Sequence, residues 1–368
     1  MMNINRLNQL TQQILDNGLD GVILMPGPNM VYFSGIHAHL SERPILLFIL
    51  ADDEPAIIIP HLEAMKAEAA GIPPEYIFAW RDEEGFRGAF QQACAHLELA
   101  DCLLGVEAYH MRVLESETLH RYAPGLQTSH ADDIIAQIRM IKDEAEVAAM
   151  EKAVAVAETA MATLLPQIKV GQTEKQIAAM LTRLLLERGG DSIAFGPIVS
   201  AGPNSASPHA TPTERPLQNG DLLLLDWGVY VDDYPSDITR TFAVGSVDKE
   251  LAHIHQVVQA ANEAGKAAAR PGATGQDVDR AARGIIEQAG YGDYFIHRTG
   301  HGLGLEVHEP PNMVEGNSDP LVIGNAFTVE PGIYLPQRGG VRIEDNLLIT
   351  ANGHRSLTSM ARGLITIG

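Results

Sequence analysis

The chain has 368 residues, 45% hydrophobic and 20% charged, the proportions of an ordinary soluble globular protein long enough for two domains. Acidic residues outnumber basic ones 47 to 26, and the formal net charge of −21 leaves no basic stripe of the kind a nucleic-acid surface needs. Only two cysteines occur, Cys94 and Cys102, so neither a disulfide framework nor a thiolate zinc cluster is implied and a reducing compartment is expected.

The opening MMNINRLNQLTQQILDNGLDG reads as a polar amphipathic helix over 7–17, not a signal peptide with an apolar stretch, and the expected location is cytoplasmic. Short apolar runs follow at 21–25, 45–50 and 56–60, then a helix over 61–70 and short strands near 76–80 and 102–107. Such runs, bounded by Gly, Pro and Asp and separated by helical patterns, predict an α/β domain with a mixed sheet. The character changes around 125–145, and the expected boundary is near residue 130, giving domains over 1–130 and 131–368 with a helix over 132–141 as connector.

Beyond KDEAE the run EVAAMEKAVAVAETAMATLL predicts a long helix rich in Ala, Met and Leu. A second helix is expected from an N-cap at Thr173 to Arg188, ended by Gly189 and Gly190. Strands are predicted in SIAFGPIVS, DLLLLDWGVYV and ITRTFAVG; helices over 248–269 and 275–289 then precede strands FTVEPGIYL and VRIEDNLLIT. Two helices followed by acidic strands therefore occur twice. LLLLDWGVYV is too short, and too close to charges, to span a bilayer, so no membrane partner is expected.

The acids in these strands carry the chemistry. Asp226 and Asp237 lie eleven residues apart in LLLLDWGVYVDDYPSDITRT; His301 lies in TGHGLGLEVHE, Glu330 in FTVEPGIY and Glu344 in GVRIEDN. Four carboxylates and one imidazole within apolar or Gly-rich segments are costly to bury unless cations compensate them. Two adjacent divalent ions, roughly 3.5–4 Å apart, would do so. A set rich in carboxylate and poor in histidine suits Mn2+, or Co2+, better than a structural zinc site, with Zn2+ as a further candidate.

The order Asp, Asp, His, Glu, Glu within D-x-G, S-D-x-T-R-T, G-H-G-x-G, E-P-G and R-x-E-D resembles the M24 "pita-bread" metallopeptidases from about residue 145 to the C-terminus. YPSDITRT, GYGDYFIH ahead of TGHG, and PGIYLP followed by GGVRIED are similar to the Xaa-Pro branch of that family, the prolidases and short bacterial Xaa-Pro peptidases. The resemblance implies an α/β N-terminal domain and an α+β pita-bread C-terminal domain with pseudo-twofold symmetry. It also implies two divalent ions, a small proline-containing peptide as substrate, cleavage of the Xaa-Pro bond, and a homodimer. Asp226 would bind one ion, Asp237 would bridge both, and His301, Glu330 and Glu344 would complete the ligands, with Glu330 also the catalytic base. His209, His297 and His308 match family positions that bind substrate or stabilise the tetrahedral intermediate. Arg342 resembles an arginine beside the ligands, and Tyr234 a tyrosine near the metals.

One departure stands out. Prolidases often carry an arginine between the HE and EPG motifs that grips the substrate carboxylate, and EPPNMVEGNSDPLVIGNAFTVEPG has no Arg or Lys. Arg298, the segment around His37, His39 and Arg43, or a partner subunit's loop could supply the cation. An aminopeptidase P acting on longer peptides, a metal-free amidinohydrolase such as creatinase, and a silent binding protein on the same fold are the alternatives; the last two need no intact ligand set, and all five ligands are present.

Overall fold

Helix α1 (Ile4–Asp16) opens the chain because Leu10 and Ile14, four residues apart, give it a buried stripe, while the Asn3 side chain accepts from Arg6 N and caps its first turn. The computed structural model describes residues 2–368. The chain divides into two compact units, Met1–Arg139 and Met140–Gly368, so the helix expected as a connector, observed over Asp132–Arg139, falls in the first unit.

The first unit is built on six strands: β1 (Gly21–Leu24), β2 (Leu46–Leu50), β3 (Ala56–Pro60), β4 (Ile77–Trp80), β5 (Leu103–Val106) and β6 (Gln127–His130), in the order β4-β3-β2-β1-β5-β6. The β1/β2 and β2/β3 pairs are antiparallel and the others parallel, a mixed sheet as the apolar runs predict. Unbroken apolar strands bury both faces, and Ile23, Phe48, Ile58, Phe90 and Leu104 form one core. The helices Pro28–Ser34, Arg87–His96 and Val113–Tyr122 escape the sequence reading, as does β6, whose four residues QTSH are exposed and carry no apolar alternation. The expected helix over 61–70 begins as a 3-10 turn, His61–Glu63, before the α-helix Ala64–Ala70.

The second unit repeats one plan. Helices α2 (Glu144–Leu164) and α3 (Glu174–Glu187) cover a sheet of β7 (Ile198–Ala201), β8 (Leu222–Trp227) and β9 (Ile238–Val244). Helices α4 (Lys249–Ala268) and α5 (Gly275–Gln288) accompany β10 (Gly300–Gly302), β11 (Glu309–Met313), β12 (Ala326–Val329), β13 (Gly332–Leu335), β14 (Gly339–Arg342) and β15 (Asp345–Thr350). Capping boxes start three of these helices, Asp143 with Glu146, Thr173 with Gln176 and Thr274 with Asp277, so the cap expected at Thr173 forms. Leu181 and Leu185 of α3 and Met161 of α2 pack on Leu223, Leu225 and Trp227 of β8, each contributing about 1.5–3 kcal/mol of burial. This is the pita-bread fold with its pseudo-twofold pairing of helices and sheets. Among the described residues no helix is long and apolar enough to cross a membrane.

Four strands expected as continuous are broken: SIAFGPIVS after Ile193, DLLLLDWGVYV at Gly228, and two more whose breaks build the site. FTVEPGIYL divides at Glu330-Pro331, since proline has no N–H to continue the ladder. VRIEDNLLIT divides at Ile343-Glu344, where Glu344 N donates to Thr239 O of the other sheet at 3.1 Å. The β13/β14 hairpin fills the gap. Val329 of β12 pairs with Asp345 of β15, so the residues just beyond that last rung, Glu330 and Glu344, leave the sheet side by side.

Candidate active site and metal centre

The carboxylates converge on a cavity of about 980 Å³ in the second unit, lined by Asp226, Asp237, His301, Glu330 and Glu344 and by His209, His297, His308, Arg298 and Arg342. Asp226 lies opposite Thr239 in the β8/β9 register, and Asp237 immediately precedes β9. The Asp237 backbone exchanges hydrogen bonds with the Asn346 side chain, its N–H donating to Oδ1 at 3.2 Å and its carbonyl accepting from Nδ2 at 2.5 Å. Glu330 N donates to Thr299 O at 2.7 Å, and Thr239 Oγ1 donates to Glu344 Oε2 at 2.7 Å. His301 lies between two glycines, as a tight approach demands: a Cβ at Gly300 or Gly302 would collide with the carbonyl oxygens of Thr328 and Pro310.

These groups need a cation that the protein alone does not supply. Among the described residues one guanidinium bonds the four carboxylates, Arg342, whose Nη2 donates to Asp226 Oδ2 at 2.5 Å. Among the described residues, the buried oxygens Asp226 Oδ1 and Glu344 Oε1 find no hydrogen-bond partner, an expensive state unless a cation binds them. His301 Nδ1 donates to Gly302 O at 3.1 Å, which leaves Nε2 with its lone pair 3.4 Å from Glu330 Oε1 and 3.6 Å from Asp237 Oδ2. Lone pairs facing one another across that gap repel, and a metal ion between them reverses the sign. Three overlapping groups bring ligand atoms within 4.8 Å of one another: Asp226 with Asp237 and Glu344, His301 with Glu330 and Glu344, and Asp237 with His301 and His308. The residues fit a pair of divalent ions.

Electrostatics agree. Burial, then the charges of Glu344 and Asp226, pushes Asp237 well above the usual carboxylate range. Burial, then Glu330 and Asp226, does the same to Glu344. Glu330 is pushed up by burial to about 7, with Arg342 opposing. His301 is held well below the ordinary histidine value by burial and then by His308, so it is the neutral imidazole a metal ligand must be.

A hydrogen-bonded chain borders the acids. His297 Nδ1 donates to Arg298 O at 2.7 Å, so Nε2 accepts from Tyr334 Oη at 2.8 Å, and Arg342 Nη1 donates to the same hydroxyl at 2.8 Å. Burial and the Arg342 charge depress His297 to about 4, and burial raises Tyr334 to about 12, so both are neutral near pH 7. Tyr334 escaped the sequence reading, although it stands four residues after Glu330 in EPGIY. His308 is exposed, its ring 4.1 Å from that of His301, and His209 is an exposed residue of the same lining. Tyr234 departs from expectation: it does not line the cavity, and its hydroxyl donates to Glu146 Oε1 of α2 at 2.8 Å, a structural bond rather than a substrate contact.

A pita-bread fold whose cavity gathers four carboxylates and a neutral imidazole points to a hydrolase of the metallopeptidase class. Residues 148–351 match the model of metallopeptidase family M24, and residues 6–141 that of the creatinase/prolidase N-terminal domain. The Xaa-Pro dipeptidase of Pyrococcus furiosus is 35% identical over 363 residues, 98% of this chain and 99% of that protein. The crystal structure of a prolidase from Thermococcus sibiricus superposes with a TM-score of 0.93 at 32% identity, covering 100% of each chain. Dipeptidase PepE from Mycobacterium ulcerans superposes at 0.91 and 36% identity, covering 99% of this chain and 97% of that one. The chain belongs to metallopeptidase family M24 and is a peptidase.

Proposed function

We propose that this chain is a dinuclear metal-dependent peptidase that hydrolyses the bond between an N-terminal residue and proline, with dipeptides as its main substrates. Asp226, Asp237, His301, Glu330 and Glu344 would hold two divalent ions, Mn2+ first among the candidates. The observation that carries the reading is the pair of buried, partnerless oxygens, Asp226 Oδ1 and Glu344 Oε1, facing a neutral His301. Similarity along the whole chain to proteins called Xaa-Pro dipeptidase and prolidase supports the substrate class. The bound ions would supply Lewis acidity toward the peptide carbonyl and lower the pKa of the attacking water. Glu330 takes the proton of that water on its carboxylate and passes it to the leaving proline nitrogen. His308, neutral and at the cavity wall, donates toward the oxygen that gains charge as the carbonyl turns tetrahedral, and His297, whose one N–H is held by Arg298 O, acts there through the hydroxyl of Tyr334. His209 orients the proline end of the substrate. Arg342 holds Asp226 in place, its Nη2 donating to Oδ2 at 2.5 Å.

A substrate panel tests the reading. With Mn2+ supplied, Ala-Pro is expected to be cleaved and Ala-Ala left intact; equal cleavage of both would sink the proline restriction. Efficient cleavage of Ala-Pro-Gly with negligible cleavage of Ala-Pro would make the protein an aminopeptidase instead. The proposal includes a cytoplasmic homodimer. Light scattering at micromolar concentration is expected to give twice the chain mass of 39.7 kDa, and a fully active monomer removes that part.

A further inference from the structure

We infer that Glu174, which does not itself line the cavity, is a positioning residue for the substrate: it staples both feet of the loop 202–212, and the loop carries His209. The inference rests on the Xaa-Pro reading, which gives His209 the proline end, and names the group that sets where that imidazole stands. Glu174 opens α3 and is fully buried, a costly place for a carboxylate unless its oxygens are bonded. The donors come from the two ends of one loop. Ala201 N, at the close of β7, donates to Oε1 at 2.7 Å, and the Asn204 amide donates to both oxygens at 3.0 and 3.1 Å. Thr213 donates twice to Oε2, from N at 2.9 Å and from Oγ1 at 2.6 Å. The first turn of α3 completes the closure with N–H groups that no helical carbonyl can reach. Glu174 N donates to Arg215 O at 3.2 Å, and Lys175 N to Thr213 O at 3.1 Å.

Between these feet the chain is stiff. Pro208 and Pro212 bracket His209 and fix φ on either side of it. Within the loop Ser207 N donates to Asn204 O at 3.2 Å and Ala210 N to Ser207 O at 3.3 Å. A stiff apex on pinned feet moves as a unit, so a shift at the feet is carried to His209. Two further ties hold the loop to β14: Gly340 N donates to Ser205 Oγ at 2.8 Å, and Arg342 Nη1 to Pro208 O at 3.2 Å. Residues 208–212 all line the cavity, as do Lys175 and Ala178 of α3, so the helix that bears the staple and the loop it holds build one wall together. A carboxylate suits this place because it only accepts, and hydrogen bonds to it are stronger than those to a neutral acceptor. An amide there would turn one acceptor oxygen into a donor facing N–H groups.

The test measures kcat and KM on Ala-Pro for the Mn2+-loaded wild type, Glu174→Gln, Thr213→Val and Thr213→Ser, each also in a His209→Ala background. Metal content and melting temperature are measured for every protein. Glu174→Gln should lose about 10- to 100-fold in kcat/KM, mainly through KM, the scale of a small misplacement of a group that orients substrate, with Mn2+ content at the wild-type level. Thr213→Val, which removes the Oγ1 donor and leaves Glu174 in place, should raise KM by less, and Thr213→Ser, which keeps the hydroxyl, should restore it. In the His209→Ala background Glu174→Gln should cost at most about threefold more, because the group it places is gone. A purely structural role would lower the melting temperature and let the two losses multiply. Equal losses in both backgrounds, loss of metal with the loss of rate, or wild-type KM in both Glu174→Gln and Thr213→Val overturns the inference and leaves the Xaa-Pro reading standing. Should Glu174→Gln fail to fold, the two Thr213 variants in the two backgrounds decide by the same criteria. A wild type inactive on Ala-Pro removes that reading, and this inference with it.

Discussion

Glu330→Gln is expected to lower turnover of an Xaa-Pro dipeptide by roughly a hundredfold or more, the range lost with a positioned general base. The substitution keeps the side chain's shape, and the backbone bond from Glu330 N to Thr299 O at 2.7 Å keeps it in place. What disappears is the proton acceptor. Burial brings this carboxyl to about 7 in the absence of metal. Because Glu330 also faces His301 Nε2 at 3.4 Å, elemental analysis must accompany the kinetics. A variant with full metal content and a collapsed rate supports the base role; a variant with full metal content and a near-normal rate assigns the proton to another group.

Stripping the divalent ions is expected to abolish turnover and to make the fold itself sensitive to pH. In the metal-free protein burial raises the folded pKa of Glu330 from 4.5 to about 7, and Asp237 and Glu344 move the same way. A folded state that holds protons more tightly than the unfolded chain is most favoured at low pH. These groups therefore contribute fully below their unfolded values, and the contribution is lost as pH rises through the folded ones. For Glu330 that window runs from about 4.5 to about 7. The metal-free melting temperature should fall by roughly 5–10 °C between about pH 5 and about pH 8 from this source. Added Mn2+ should raise the melting temperature more at the upper end, since ligands must shed protons to bind it. Calorimetry of chelated and reloaded protein checks both halves. A metal-free midpoint that holds or climbs over that range would show the carboxylates are not crowded as described, and activity in a sample free of metal by elemental analysis would end the metal mechanism.

Much of the site was legible along the chain because buried acids leave a local mark. LLLLD and FTVE place a carboxylate at the end of an apolar strand, and glycines flanking His301 announce a close approach that the Thr328 and Pro310 carbonyls do impose. The N-cap Thr173 and the mixed sheet of the first unit were likewise readable, since caps and apolar runs act over a few residues. Exposed β6 and the three unrecognised helices of the first unit carry weaker local patterns, and their places depend on the sheet they flank.

By itself, then, the sequence determined which residue types carry chemistry here, their order, and the doubled helix–strand plan that holds them. Tertiary structure decided the rest. It broke two expected strands at Glu330-Pro331 and at Glu344, so that the two glutamates leave the sheet as neighbours. It turned Tyr234 toward Glu146 and joined Tyr334 to His297 and Arg342. It gave Arg298 an amide partner in place of an acid. Each of these is a contact of a few ångströms between residues up to 88 positions apart, as for Tyr234 and Glu146. Local propensity ends after a turn or two of chain, and which side chain meets which is set by the packing of sheets and helices around them.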